Sequence, residues 1–244
     1  MPNTIIFWHR RDLRLADNLG LSAARQQSPK LVPIFCLDLN ILSRDDIAPA
    51  RVTYMIGCLR KLQQQYRQLG SQLFIFRGNP REIIPQVAKT LGARAVFWNL
   101  DVEPYSRERD GQVKEALEEI GVETQTFWDQ LLHSPGDIVT KTGEAYTVYT
   151  PFWKNLIQQK QGLPAEKITD IQGLEEEELN QLKELSLIEL PTTKELGFFW
   201  DNPLLLEPGE TAALERLEYF CDGAINEYKE RRDYPSYDGT SQLS

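Results

Sequence analysis

The chain has 244 residues, 41% of them hydrophobic and 26% charged, with a formal net charge of −9. That composition supports one sizeable core and less than a second, and the acidic balance argues against a surface built throughout to clamp phosphates. Cys36, Cys58 and Cys221 are far apart and the only histidines are His9 and His133, so neither a disulfide framework nor a metal site is expected.

From residue 4 to about residue 127, short apolar runs alternate with helix-period stretches, the pattern of a parallel sheet covered by helices on both faces. Five strands are read: Thr4–Trp8, Leu31–Leu37, Leu73–Arg77, Ala95–Asn99 and Glu123–Phe127. A helix over Ala48–Leu69 carries Val52, Met55, Ile56, Leu59, Leu62, Tyr66 and Leu69 on one face and closes at Gly70. Shorter helices fit Leu19–Gln26, Pro80–Leu91 behind the N-cap Asn79, and Ser106–Ile120 before Gly121.

After Trp128 the pattern breaks into an irregular excursion over Pro135–Thr150, followed by a short helix in TPFWKNLIQQK. Residues 161–208 are polar, with prolines at 164, 191, 203 and 208 and the acidic run Glu175–Glu178. They read as a connector with one or two short helices that wraps a surface, the acidic run a solvated face. A new helix begins near Glu210 with Ala213, Leu214, Leu217, Phe220, Cys221, Ile225 and Tyr228 on one face. Little sequence follows to cover that face, so a second domain cut off after its first helix is expected. The division is then 1–130, extending to about 160, then 161–208, then 209–244.

No run approaches the roughly eighteen apolar residues of a membrane span, and the first residues lack the apolar core of a signal peptide. A soluble, cytoplasmic, monomeric protein with no membrane partner is expected.

Ligands of open parallel sheets bind beyond the carboxyl ends of the strands, and those positions are unusually polar here. They hold His9, Arg10, Arg11, Asp12 and Arg14 after strand one, Asp38 after strand two, Asp101 and Glu103 after strand four, and Arg51 at the start of the long helix. Surface ion pairs tying loops together are the ordinary reading of such residues. No GxGxxG, GxxxxGK[ST] or GxSxG occurs, which argues against dinucleotide dehydrogenases, P-loop NTPases and α/β-hydrolases. The terminal DGTSQLS offers hydroxyls and a flexible glycine for an anionic oxygen, or is simply a polar tail.

Several segments in order, FWHRRDLRLADN (7–18), APAR (48–51), GNPREIIP (78–85), WNLDVEPYSRERD (98–110), WDQLLHSP (128–135), TPFWK (150–154) and RRDYPSYDGTSQLS (231–244), resemble the DNA photolyase/cryptochrome family. The likeness is strongest to class I cyclobutane-pyrimidine-dimer photolyases with a deazaflavin antenna. The resemblance implies a Rossmann-like, doubly wound α/β antenna domain followed by a connector and an all-helical domain that binds FAD and flips the lesion out of DNA. It implies an antenna site for 8-hydroxy-5-deazaflavin, with methenyltetrahydrofolate as the alternative, at Phe35, Cys36, Arg51, Asp101 and Glu103, with Arg11 nearby. Arg51 would balance charge on the chromophore or on Asp101. It also implies part of an FAD-phosphate site at Tyr228, Thr240, Ser241 and Ser244.

The expected function is therefore the antenna half of a light-driven repair lyase, with no catalytic residue of its own. UV-damaged DNA would be met only through the absent helical domain. Ordering the tail after Tyr228 costs more than its few hydrogen bonds return, so a mobile tail without stable FAD binding is expected. The alternatives are a cryptochrome-type blue-light receptor and a stand-alone nucleotide-binding α/β module.

Overall fold

The computed structural model describes residues 3–234 and 236–242. In chain order the α/β part comprises β1 (Ile5–His9), α1 (Leu19–Gln27), β2 (Leu31–Asp38), the single turn α2 (Leu39–Leu42), α3 (Pro49–Gln68), β3 (Phe74–Gly78), α4 (Pro80–Thr90), β4 (Ala95–Asn99), α5 (Pro104–Glu119) and β5 (Glu123–Phe127). Strand alternation builds two cores. Ile5, Phe7, Leu31, Phe35, Ala95 and Phe97 face α1 and α3, while Ile6, Trp8, Val32, Ile34, Val96 and Trp98 face α4 and α5. The capping residues behave as their chemistry requires: Asn18 accepts from the Leu21 amide, Asn79 accepts from the Arg81 amide, and Gly70 takes φ +82 just beyond α3.

The five parallel strands lie within a residue of their expected bounds, but the sheet has six strands among the described residues, in the order β5-β4-β1-β2-β3-β6. After α6 (Tyr149–Leu156) and α7 (Glu176–Lys183), the 161–208 stretch supplies β6 (Leu187–Ile188), antiparallel to β3 through Ile75–Ile188 and Phe76–Leu187. This corrects the five-stranded expectation, and the physical reason is that β3 would otherwise expose an unpaired edge.

The same stretch does more than wrap a surface. Ile168 and Ile171 are buried in the first core and Leu182 in the second, with the Ile171 amide donating to the Leu69 carbonyl and the Gln172 amide to the Pro29 carbonyl. Nor is the acidic run merely solvated. Glu178 accepts both from Lys30 Nζ, at 2.6 and 2.8 Å, and from the Glu175 amide at 2.9 Å, so it anchors α7 and caps it at once.

α8 (Glu210–Asp222) buries no residue. Leu214, Leu217, Ile225 and Tyr228 are exposed, as the unpartnered face anticipated, although Gly223 breaks the helix before a 3₁₀ turn over Ala224–Glu227 and the single turn α9 (Tyr228–Arg231). Beyond α9 the structure shows anchors that a count of tail hydroxyls omits. Arg216 pairs with Asp238 and donates to the Thr240 and Ser241 carbonyls at 2.5 and 3.0 Å. No helix among the described residues is long and apolar enough to cross a membrane.

Candidate functional site

A cleft of about 450 Å³ opens at the carboxyl ends of β1, β2 and β4, where strand order reverses around β1. Phe35, Cys36, Arg51, Asp101, Glu103 and Arg11 all line it. The last residues of β2 place Phe35 and Cys36 on the floor, and the β4–α5 loop presents the two carboxylates. The β1 loop brings Arg11, and the first turn of α3 brings Arg51. Ile41, Leu42, Ile47, Val52 and Met55 complete an apolar wall.

Asp101 is buried and firmly held. It accepts from the Glu103 amide at 3.2 Å and from the Ser106 hydroxyl at 3.1 Å. Burial alone would raise its pKa, but these two bonds and the charges of Arg11 and Arg10 outweigh it and hold the carboxyl below its ordinary value. Arg11 lies 3.6 Å from Asp101 and 3.9 Å from Glu103 at the exposed mouth. Arg51 does not neutralise Asp101, which was one of its two expected roles. It is exposed, Asp46 beside it is already paired with Arg44 at 2.7 Å, and Arg51 has no ion pair of its own among the described residues. A cation at the rim of an apolar cleft is thus left for a ligand's charge.

Asp38, Tyr105 and Arg109 form a polar part of the same wall. Tyr105 donates to Asp38 Oδ2 at 2.7 Å, and Arg109 lies 3.8 Å from Asp38 while donating twice to Asp110 Oδ1. The Arg109 guanidinium carbon stands 4.9 Å from the Trp8 ring centre, and that of Arg10, which is paired with Asp110, stands 5.2 Å away. Asp38 was visible in sequence as a strand-end residue. Tyr105 and Arg109 were not singled out, although their four-residue spacing on α5 puts them on one helix face. Burial, with the Asp38 hydrogen bond next, pushes the Tyr105 hydroxyl up to about 12, and burial pushes the Cys36 thiol up to about 12. Both stay protonated, so Cys36 is a wall and not a nucleophile.

Behind the cleft lies a buried polar network. Asn99 donates to Asp12 Oδ2 at 2.7 Å and to Asn18 Oδ1 at 2.8 Å, and accepts from the Gly20 amide at 3.0 Å. His9 bonds the Tyr66 hydroxyl at 2.6 Å and the Asp12 carbonyl at 3.0 Å, and burial lowers its pKa, so it is neutral. These groups hold the β1 loop rigid without entering a reaction.

Of the anion-binding expectation, Tyr228, Thr240 and Ser241 fall within the described residues. Thr240 and Ser241 turn their carbonyls to Arg216, whereas Tyr228 packs edge-on against Phe220 and under Arg232. Ser244 lies outside the described residues. Among those residues no cluster of three or more His, Cys, Asp or Glu side chains is placed to hold a metal.

The sequence profile of the DNA photolyase family matches residues 5–170. A deoxyribodipyrimidine photo-lyase of a Synechococcus species is 52% identical over the whole chain and half of its own length. An uncharacterized 31.6 kDa protein from another Synechococcus strain is 48% identical over 98% of the chain and 82% of its length. Among solved structures, a bacterial class III photolyase from Agrobacterium tumefaciens superimposes with a TM-score of 0.84 at 28% identity, covering all of this chain and half of that one. The chain spans about half the length of the photo-lyases it matches.

Proposed function

Because the chain belongs to the DNA photolyase family, we propose that its strand-end cleft binds a light-harvesting chromophore and that the chain is the antenna part of a light-driven DNA repair lyase. The observation that carries this reading is the cleft itself, in which an apolar wall, the fixed carboxylate of Asp101, the exposed carboxylate of Glu103 and an unpaired arginine converge at the switch point of the sheet.

The residues fit 8-hydroxy-5-deazaflavin. Phe35, Val52 and Met55 offer apolar contact to a fused ring, and Asp101 and Glu103 can accept bonds from ring and ribityl donors. Arg51 can hold the negative charge of the ring hydroxylate. When bound, the chromophore supplies absorption of light and passes the energy on. The protein's part is to orient it, keep water from its faces and fix its charge. Methenyltetrahydrofolate presents anionic carboxylates instead, which the same arginine could meet at the rim, so a competition titration of the two decides the antenna.

The remaining steps, electron transfer from reduced FAD and splitting of cyclobutane pyrimidine dimers in UV-damaged DNA, we assign to a helical domain that follows the antenna part in the longer relatives. In this division residues 1–130, extending to about 160, form the antenna domain, 161–208 the connector and 209–244 the start of the helical domain. Tyr228, Thr240, Ser241 and Ser244 are a partial FAD-phosphate site that does not hold FAD stably by itself. No residue of the chain is proposed as catalytic, and a cytoplasmic monomer is the proposed working state.

Arg51→Ala combined with Asp101→Ala is expected to abolish saturable deazaflavin binding while leaving the far-ultraviolet circular dichroism unchanged. Binding at wild-type affinity in the double variant would place the chromophore elsewhere.

A further inference from the structure

Helix α8 follows the β1 loop by almost two hundred residues, yet its first side chain closes directly on that loop. Glu210 Oε1 accepts from the Ala16 amide at 2.8 Å, and Oε2 accepts from the Leu15 amide at 3.1 Å and from Gln65 Nε2 at 3.2 Å. A carboxylate that accepts from two consecutive amides fixes direction as well as distance. The loop it grips begins with His9, Arg10 and Arg11 in the cleft wall. Asp12 ties the loop down between cleft and clamp, accepting from the Arg10 amide at 2.9 Å and from Asn99 at 2.7 Å.

α3 is shared in the same way. Its first two turns give Arg51, Val52 and Met55 to the cleft, and its later turns receive the chain entering α8. Pro208 fills a notch at Gly57, where a Cβ would stand 2.5 Å from the proline Cγ. Gly209 takes φ +115 against Lys61, a conformation that favours glycine, and its backbone hydrogen-bonds the Cys58 thiol. Cleft and helix are therefore built on the same two elements. Since α8 itself buries no residue, hydrophobic packing along the helix does not set its direction.

We propose that Glu210 is a positioning residue whose carboxylate holds α8 at one fixed angle to the chromophore cleft. The use of this clamp rests on the antenna reading. Passing excitation from a chromophore in the cleft to an acceptor beyond α8 depends steeply on separation and orientation, and a swinging helix would scatter both.

The test uses the full chain carrying Glu210→Ala or Glu210→Gln, with a fluorophore on Cys221, which is exposed while Cys36 and Cys58 are buried. In the alanine variant, exchange of the Leu15 and Ala16 amides is expected to quicken roughly tenfold or more. The fluorophore's anisotropy should also decay further toward zero, while exchange of the β1 and β4 amides stays at its wild-type rate. Glutamine keeps one carbonyl acceptor and should restore part of both signals.

Unchanged exchange and anisotropy in the alanine variant would overturn the proposal. So would a loosening that spread equally through the sheet, because Glu210 would then be a general stabiliser. A deazaflavin titration of the wild-type chain runs beside these. Its failure would remove the antenna reading and leave the clamp result standing.

Discussion

Asn99→Leu is expected to destabilise the protein by about 3–5 kcal/mol, with Tm lowered by roughly 10 °C or more, although the two side chains branch alike. Asn99 stands at the end of β4 and is almost wholly buried, and its side chain touches Asp12, Asn18 and the Gly20 amide together. Leucine fills the space and satisfies none of them. The Gly20 amide loses its acceptor in the first turn of α1, and Asp12 keeps only the weaker 3.3 Å bond from Asn18 beside the Arg10 amide. Denaturant unfolding read by tryptophan fluorescence checks the figure. A loss below about 1 kcal/mol would mean that water relieves the stranded groups and that the network is open to solvent.

Arg109→Leu is expected to cost about 2–4 kcal/mol and, separately, to weaken ligand binding in the cleft. The guanidinium, buried among Asp38, Asp110, Trp8 and Tyr105, joins the β2 end of the cleft wall to α5. Without it Asp110 keeps Arg10 and Asp38 keeps Tyr105, so neither acid is wholly unpaired, but the wall loses the group that ties its two halves. Lysine restores the charge but not the two parallel donors to Asp110, and should recover stability only in part. Thermal unfolding and a deazaflavin titration on both variants separate the two effects. Unchanged affinity in a destabilised leucine variant would confine Arg109 to the fold.

These two sites show which parts of the molecule local pattern reveals. The five parallel strands were legible because each is an apolar run bounded by turn residues, and α3 because its apolar positions recur at helical steps. The strand-end rule and the resemblance converged on Arg11, Arg51, Asp101 and Glu103, and the resemblance added Phe35 and Cys36. Features joining distant segments were not legible. β6 is two residues long and exists only because β3 needs an edge partner. Ile168 and Ile171 are lone apolar residues in polar surroundings, and although Leu182 recurs with Leu179 and Leu185 at three-residue steps, local pattern does not say which surface α7 docks on. Glu178 sits in what composition describes as an acidic surface run, and its bond to Lys30 is decided by where α7 docks. Tyr105 and Arg109 carried a helical spacing, but which face of α5 turns toward the cleft is set by packing against α4 and β5. Arg51 shows the opposite case. Its place in the cleft was foreseen, yet the counter-ion of Asp101 proved to be Arg11.

If the strand-end cleft is a chromophore site complete within this chain, an absorption titration of the purified chain with 8-hydroxy-5-deazaflavin, with FAD in a parallel cuvette, will show it. Saturable deazaflavin binding at one site per chain, with no saturable FAD binding, is expected. A cleft that takes up no deazaflavin, in a chain whose circular dichroism shows it folded, would contradict it.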